Sequence, residues 1–140
     1  IWPLVAVRGD VNFIKIGDRT NIQDNSVLHV ARPTTCNNEG FALIIGDDVT
    51  VGHGAILHAC TIGNRCLIGM GATVLDGAVL ECDLLLAAGS LVPPGKKLEG
   101  GYLWRGAPAV KARALSREEQ DGLKESAEQY VLLKDDYLLS

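Results

Sequence analysis

Aliphatic residues recur every six positions through most of the chain. The series is expected to begin at Leu4, to continue past Ile16 and Leu28, and to close at Trp104 and Val110. A period of six fits neither an α-helix nor a single strand. It is typical of a solenoid whose coils consist of short strands and turns. The chain is therefore predicted to form an all-β solenoid, a parallel β-helix of hexapeptide repeats, in which the aliphatic side chains point inward.

Three hexapeptides make one triangular coil, so every third unit should fall on the same face. The three faces are predicted to carry Ile22, Val51, Ile68 and Leu86; then Asp10, Leu28, Leu57, Val74 and Val92; then Ile16, Ile45, Ile62, Leu80 and Leu98. Asp10 is the one polar residue assigned to an aliphatic position. It is expected to need Arg8 or a neighbouring subunit as its partner, because an unpaired buried charge is costly.

The repeat is interrupted at about residues 31–43 (ARPTTCNNEGFAL), which are predicted to form a loop outside the coil. The repeat pattern ends near Pro108. Beyond it, Ser116 and Glu119 have the spacing of a helix capping box, and apolar residues follow at roughly helical intervals. The predicted organisation is a β-helix over residues 1–112 and a C-terminal α-helix within 113–140, packed on the β-helix or on a neighbouring subunit.

Composition narrows the range of partners. The 140 residues, 47% hydrophobic and 21% charged, fit one globular domain. The net charge of −4 argues against nucleic acid and anionic membranes as partners, and no apolar run approaches the ~20 residues that span a bilayer. No signal peptide is recognised, although Ile1 lies directly in core-like sequence and a preceding segment is expected. Four cysteines without CxxC spacing predict reduced thiols and a cytoplasmic protein.

The three histidines have a defined place in this pattern. His29 follows Leu28 and His58 follows Leu57, so both should lie on one face in consecutive coils, about 4.8 Å apart. That spacing lets two imidazoles share one metal ion. His53 should lie on another face and reach the ion only from a neighbouring subunit. The sequence therefore predicts a homo-oligomer, with threefold symmetry as a closed form, and a metal at each interface. The spacing excludes an HExxH metalloprotease site.

Two further ligand questions follow from this pattern. Cys60 lies two residues after His58, but a buried packing role is favoured over metal ligation because free cysteine behaves as a small hydrophobe. Imidazole ligands suit Zn2+, Fe2+ and Co2+ alike, so the ligands alone do not fix the metal.

Several of these motifs resemble the γ-class carbonic anhydrase family, and more narrowly its bacterial carbonic anhydrase-like branch. They are RGD, NIQD, LHV, GHGAILHACTIGNRCLIGMGATV and AAGSLVPPGK, which together span nearly the whole chain. The resemblance implies that the β-helix is left-handed, a hand that the repeat alone does not give. It also implies a homotrimer with three interfacial metal sites whose ligands are His29, His53 and His58.

The same resemblance assigns roles to other residues. Gln23 matches the residue that hydrogen-bonds the metal-bound water or bicarbonate, and Asn21 matches a further active-site residue. Arg8 and Asp24 match an intersubunit ion pair, and Asp10 matches a nearby structural carboxylate. Tyr102 is expected near the pocket, as a tyrosine is in related members.

The implied reaction is reversible CO2 hydration by zinc-bound hydroxide, a lyase activity on CO2 and bicarbonate. Two departures bear on it: Val11 stands where active enzymes carry a glutamate, and Glu39 is the one glutamate in the loop that otherwise carries a proton shuttle. Weak or absent hydration therefore stays open. The alternatives are a hexapeptide acyltransferase or thioesterase acting on an acyl-CoA, with His53 as general base, and a non-catalytic trimeric metal-binding scaffold.

Overall fold

The computed structural model describes residues 1–140, which form sixteen short strands and one helix. The strands are β1 (Ala6–Arg8), β2 (Ile14–Ile16), β3 (Asn21–Ile22), β4 (Val27–His29), β5 (Leu43–Ile45), β6 (Thr50–Val51), β7 (Ile56–His58), β8 (Thr61–Ile62), β9 (Leu67–Ile68), β10 (Thr73–Val74), β11 (Val79–Leu80), β12 (Leu85–Leu86), β13 (Leu91–Val92), β14 (Lys97–Leu98), β15 (Tyr102–Arg105) and β16 (Val110–Ala114). Helix α1 covers Arg117–Leu139.

The strands form three sheets around one core, because each coil contributes one strand to each sheet. The orders are β1-β4-β7-β10-β13, β14-β11-β8-β5-β2 and β16-β15-β12-β9-β6-β3. All pairings are parallel except β15 with β16. The predicted parallel β-helix is thereby confirmed.

The inward positions stack from coil to coil as the six-residue period predicts. Leu28 pairs with Leu57, Leu57 with Val74, and Val74 with Val92, and all four side chains are fully buried. Small residues fill the corners between faces, among them Ser26, Ala55 and Ala72, which have no exposed surface. Burial of these stacked side chains is the main favourable contribution to the stability of the solenoid.

Three of the predicted inward positions are wrong. Leu4 is 82% exposed and Val110 is 58% exposed. Asp10 does not occupy the aliphatic position, because Val7 pairs with Leu28 and Asp10 lies in a bend beyond the end of β1. The step between the stacked residues of β1 and β2 is therefore longer than six, and the exposed Asp10 carries no penalty for burial.

The solenoid ends in a hairpin that the repeat pattern did not predict. Strand β16 folds back antiparallel to β15 across a turn that contains the cis Ala107–Pro108 bond. Trp104 in β15 is 7% exposed and covers this end of the core, and its indole Nε1 donates to the carbonyl of Glu99 at 3.0 Å. Val110 in β16 matches the six-residue spacing, but its side chain does not point inward.

Helix α1 packs on its own solenoid, against β3 and β6. The predicted capping box is present: the Ser116 hydroxyl accepts from the Glu119 amide, and the Glu119 carboxylate accepts from the Ser116 amide. Leu123 and Ala127 are the residues of the helix that are buried. No helical segment has the length and apolar character needed to cross a bilayer.

The predicted loop leaves the coil between β4 and β5, where Ala31 and Phe41 form an isolated antiparallel bridge. Its base is tied to the first coil by Asn12, whose amide donates to the carbonyls of Ala31 and Glu39 at 3.3 and 3.0 Å.

Candidate metal centre

His29 and His58 are neighbours on adjacent strands. They pair in register across β4 and β7, and each follows an inward leucine, so both rings point outward from the same face. His29 Nδ1 lies 3.1 Å from His58 Nε2, and the ring centroids are 5.0 Å apart. The side chains are 18% and 31% exposed. The predicted proximity of these two histidines is therefore present within one chain.

A carboxylate holds the outer nitrogen of each ring. His29 Nε2 lies 2.8 Å from Asp10 Oδ1, and His58 Nδ1 lies 2.5 Å from Asp76 Oδ1. Since an ionised carboxylate only accepts hydrogen bonds, each outer nitrogen carries the proton and donates it. The two inner nitrogens, which face one another, are the donor atoms left for a metal ion.

The spacing of these inner nitrogens fits a shared ion. Two nitrogens that each lie ~2.0–2.1 Å from a tetrahedral zinc are about 3.3 Å apart, close to the 3.1 Å between His29 Nδ1 and His58 Nε2. A carboxylate behind each imidazole is also the usual support of a metal-binding histidine. The pair therefore has the donor chemistry and the spacing of two ligands of one ion.

His53 lies apart from this pair within the chain. It occupies the corner after β6, where its carbonyl accepts from the Gly71 amide of the next coil. Its side chain is 50% exposed, and its Nδ1 lies 3.2 Å from Asp24 Oδ1. No group of three His, Cys, Asp or Glu side chains within one chain could hold a metal ion. The assignment of His53 to a site shared with a second copy stays a prediction.

Gln23 and Asn21 belong to one buried polar chain. They are 4% and 7% exposed. Gln23 Nε2 donates to Asn21 Oδ1 at 3.1 Å, and Asn21 Nδ2 donates to Thr50 Oγ1 at 3.1 Å. Thr50 Oγ1 lies 3.2 Å from Ser126 Oγ on helix α1. Asn21 is therefore placed to fix the orientation of the Gln23 amide, and Gln23 stands one position before Asp24, the partner of His53.

Arg8 and Asp24 do not pair with each other within the chain. Arg8 instead forms an ion pair with Asp10, as expected from the sequence, and Asp24 contacts His53. The hydrogen bond from His29 lowers the pKa of Asp10 below its ordinary value, and Arg8 lowers it further. Asp10 therefore supports His29, while an Arg8–Asp24 pair between subunits stays a prediction.

Tyr102 is not brought to the histidines. It lies on β15, three strands from β6 in the same sheet, which corresponds to about 14 Å along the solenoid axis. The Lys111 ammonium lies 4.0 Å from the centre of its ring. A place for Tyr102 beside a site shared with a second copy stays a prediction.

Val11 and Glu39, the two residues at the positions where active enzymes carry glutamates, are both at the surface. Val11 is 44% exposed, and Glu39 in the loop is exposed, with its amide bonded to Asn37.

Asp76 is the functional candidate that the sequence interpretation missed. It lies 18 residues after His58. The pairing of Leu57 with Val74 places Leu75 one coil after His58, so Asp76 lies at the corner one residue further on. The sequence did not single it out, because the repeat does not restrict this corner to one residue type.

Cys60 and Cys66 are packing residues. They are 1% and 0% exposed, and burial raises the pKa of each thiol to about 12. A metal ligand must be a thiolate, so the packing role predicted for Cys60 agrees with its environment.

A cavity of about 380 Å3 lies elsewhere, between the N-terminal residues and the C-terminal half of α1. Its walls include Trp2, Tyr130, Tyr137 and Lys134 but none of the histidines. Asn21 is the one residue that it shares with the polar chain described above.

Comparison with known proteins places the chain among hexapeptide-repeat proteins. A model of the bacterial transferase hexapeptide (six repeats) matches residues 43–76. The chain is 57% identical over 138 residues to Protein YrdA of Escherichia coli, covering 99% of this chain and 75% of that protein. It is 45% identical to gamma carbonic anhydrase 2, mitochondrial, of Arabidopsis thaliana, covering 95% of this chain and 48% of that protein. It is 38% identical to a probable carbonic anhydrase of Methanocaldococcus jannaschii, covering 96% and 80%.

Two solved structures share the fold at similar identity. A hexapeptide transferase family protein from Anaplasma phagocytophilum has a TM-score of 0.88 and 45% identity, covering 97% of this chain and 76% of that one. A putative acetyltransferase from Bacillus cereus has a TM-score of 0.88 and 42% identity, covering 97% and 75%. The expected fold, a left-handed parallel β-helix of hexapeptide repeats with a C-terminal α-helix, is confirmed.

Proposed function

The chain belongs to the γ-class carbonic anhydrase-like family of hexapeptide-repeat proteins, and we propose that it is the subunit of a zinc-dependent lyase that interconverts CO2 and bicarbonate. The observation that carries this proposal is the His29–His58 pair. Its facing nitrogens have the spacing of two ligands of one ion, and both outer nitrogens rest on carboxylates. A packing role alone would not require that arrangement on an outward face.

The site needs a third ligand, and one chain does not supply it. We assign that ligand to His53 of a neighbouring copy, because His53 is half exposed and already has its Nδ1 directed at Asp24. A closed threefold assembly gives every copy the same two roles, with the pair used at one interface and His53 at the other. The homotrimer is therefore part of the proposal.

When bound, zinc lowers the pKa of a coordinated water to about 7 and so supplies a hydroxide nucleophile at neutral pH. His29, His53 and His58 hold the ion, so none of them is free to act as a base. Gln23 positions the reacting molecules through its side-chain amide, and Asn21 holds that amide in place. Burial of both side chains makes this a rigid, pre-organised contact.

Removal of the proton that CO2 hydration releases is the step for which this chain is least equipped. Val11 has no ionisable group, and Asp10, Asp24 and Asp76 already accept hydrogen bonds from histidines. Small diffusing buffers would then have to carry the proton away. Hydration should accordingly be slow in a non-transferring buffer and faster in imidazole.

A specific observation favours acyl transfer as the second candidate. His53 Nδ1 is held by Asp24, which leaves Nε2 free on a half-exposed ring. A histidine oriented by a carboxylate is a general base for a hydroxyl or amine nucleophile. Two solved relatives at 45% and 42% identity are described as a hexapeptide transferase family protein and a putative acetyltransferase. In this alternative His53 acts without metal: it takes the proton of a hydroxyl or amine that attacks the acyl-CoA thioester, and coenzyme A leaves as the thiol.

Metal content and two activity assays separate the candidates. Zinc per subunit is measured after reconstitution, then CO2 hydration by stopped flow with and without imidazole, then acyl-CoA turnover. The lyase predicts one zinc per subunit, hydration that imidazole increases, and loss of zinc and hydration in both His53→Ala and His58→Ala.

The alternatives give different outcomes in the same assays. Acyl transfer predicts turnover of the thioester that survives chelation and His58→Ala but not His53→Ala. Bound zinc without hydration, even in imidazole, would refute the lyase and leave the metal a role in holding subunits together.

We also propose a cytoplasmic location. All four cysteines are free, as expected in a reducing compartment. The net negative charge gives no support to a role in binding nucleic acid.

A further inference from the structure

We propose that Asp76 is a positioning residue for His58, because its carboxylate accepts a hydrogen bond from Nδ1–H and holds the ring with Nε2 toward His29. The distance between His58 Nδ1 and Asp76 Oδ1 is 2.5 Å. The proposal rests on the proposed function in that His58 is taken to be a metal ligand. It adds a residue that lies outside every motif on which the metal site was first recognised.

The side chain of Asp76 makes no other hydrogen bond or ion pair in the chain. His58 is its one ion-pair partner and its one hydrogen-bond partner. Aspartate at a turn usually accepts a backbone amide and stabilises the turn, but no amide donates to the Asp76 carboxylate. Asp10, in contrast, divides its carboxylate between His29 and Arg8.

The backbone at this corner does not require aspartate. The strand register that pairs Val74 with Leu57 and with Val92 places Ala59 one coil before Asp76 and Pro94 one coil after it. The same carbonyl positions accept amides in both coils, from Gly77 to Ala59 and from Gly95 to Asp76, at 2.8 and 2.9 Å. Asp76 and Pro94 each precede a glycine of positive φ, Gly77 at 70° and Gly95 at 68°, whereas Ala59 itself has a φ of 53°. The corner therefore accepts proline as well as aspartate, and the carboxylate occurs only in the coil next to His58.

The physical consequence is a single tautomer. A neutral imidazole carries its proton on either nitrogen, and only the form protonated at Nδ1 has a lone pair at Nε2. A charge-assisted hydrogen bond to Asp76 selects that form and fixes the rotation of the ring. Loss of such a partner typically lowers metal affinity 10- to 100-fold.

The first test measures zinc affinity by chelator competition on the full chain in its assembled form. Asp76→Ala should bind zinc about 10- to 100-fold more weakly, and Asp76→Asn, which keeps a neutral acceptor, should lose less. Alanine suits this corner because the positive φ of the turn belongs to Gly77, at 70°, and not to Asp76. Asp18→Asn is the matched control, because Asp18 is an exposed carboxylate whose side chain makes no hydrogen bond.

The second test observes the tautomer directly, by nitrogen-15 NMR of the histidine rings in metal-free protein. In the wild type and in Asp18→Asn, His58 should be protonated at Nδ1. In Asp76→Ala the spectrum should show a mixture of both tautomers. A purely structural role would change the melting temperature without changing this signal.

The outcomes of the two tests separate the proposals. Zinc affinity of Asp76→Ala within twofold of the wild type, or an unchanged His58 tautomer in that variant, would overturn the role of Asp76. Failure of the wild type to bind zinc would refute the proposed function instead, and the NMR measurement would then decide the role of Asp76 alone.

Discussion

The contact between Asn21 and Gln23 gives a prediction that can be worked out from the structure. Asn21 Oδ1 accepts from Gln23 Nε2 at 3.1 Å, and both side chains are buried. Asn21→Ala removes that acceptor and the donor to Thr50. Leaving buried polar groups without partners costs about 1–3 kcal/mol of unfolding free energy. The Gln23 amide also becomes free to rotate.

A double-mutant cycle separates these effects. The hydrogen bond between two neutral amides should give a coupling of about 1 kcal/mol between Asn21→Ala and Gln23→Ala in urea unfolding. That value exceeds the ~0.3–0.5 kcal/mol within which independent substitutions add, so the cycle can resolve it.

Activity gives the second readout of the same cycle. If Asn21 acts only by holding Gln23, then Asn21→Ala lowers kcat/KM of CO2 hydration in the wild-type background and has no further effect once Gln23 is alanine. Ser126→Ala is the control, because it breaks the Thr50–Ser126 contact at the far end of the polar chain and should leave kcat/KM unchanged. Strict additivity in both stability and kcat/KM would refute the positioning role.

Three further predictions concern the scaffold that carries the site. In native protein at pH 8, a thiol reagent should modify the exposed Cys36 and Cys82. Cys60 and Cys66 should stay unmodified, because burial raises the pKa of each of these thiols to about 12. Fast reaction of all four cysteines would contradict this packing. The hydrogen bond from Arg113, followed by that from the Ser116 amide, lowers the pKa of Glu119 to about 2. The stabilising contribution of the Glu119 carboxylate is therefore present above about pH 4.5 and is lost as pH falls toward 2. The difference in melting temperature between wild type and Glu119→Gln should shrink over that range, and a constant difference would be contrary evidence. Leu57→Ala, at the fully buried position before His58, should cost about 2–5 kcal/mol in urea unfolding, and a cost below 1 kcal/mol would mean that the stacked core is not the main source of stability.

The period of the hydrophobic residues was enough to predict the three faces of the solenoid and the meeting of two histidines. His29 and His58 pair in register because each follows an inward leucine, and that relation can be read from spacing alone. The same counting failed at Asp10, because nine residues separate Val7 from Ile16 instead of six. The extra residues in the bend after β1 add no aliphatic position, so the six-residue pattern does not reveal them.

Other features depend on contacts that periodicity does not encode. Strand β16 returns antiparallel, and Val110 fits the spacing although its side chain is exposed. Asp76 lies at a corner where the next coil carries Pro94, so only its distance from His58 identifies it. The partner of His53 depends on the surface between two chains, which the fold of one chain does not determine.

The central claim is a metal site built from the His29–His58 pair of one copy and His53 of another, and subunit mixing tests it most directly. His53→Ala and His58→Ala proteins are dissociated, mixed in equal amounts, reassembled and assayed for zinc. Neither variant alone should hold zinc, but random mixing should restore about one quarter of the sites, because a copy with the intact pair then meets a copy with intact His53.

The matched control mixes His29→Ala with His58→Ala. No copy in that mixture carries both members of the pair, so no zinc should return. Zinc restored in the first mixture and not in the second is the result predicted here. Zinc in neither mixture, with the wild type reassembling and binding zinc under the same conditions, would contradict the shared site.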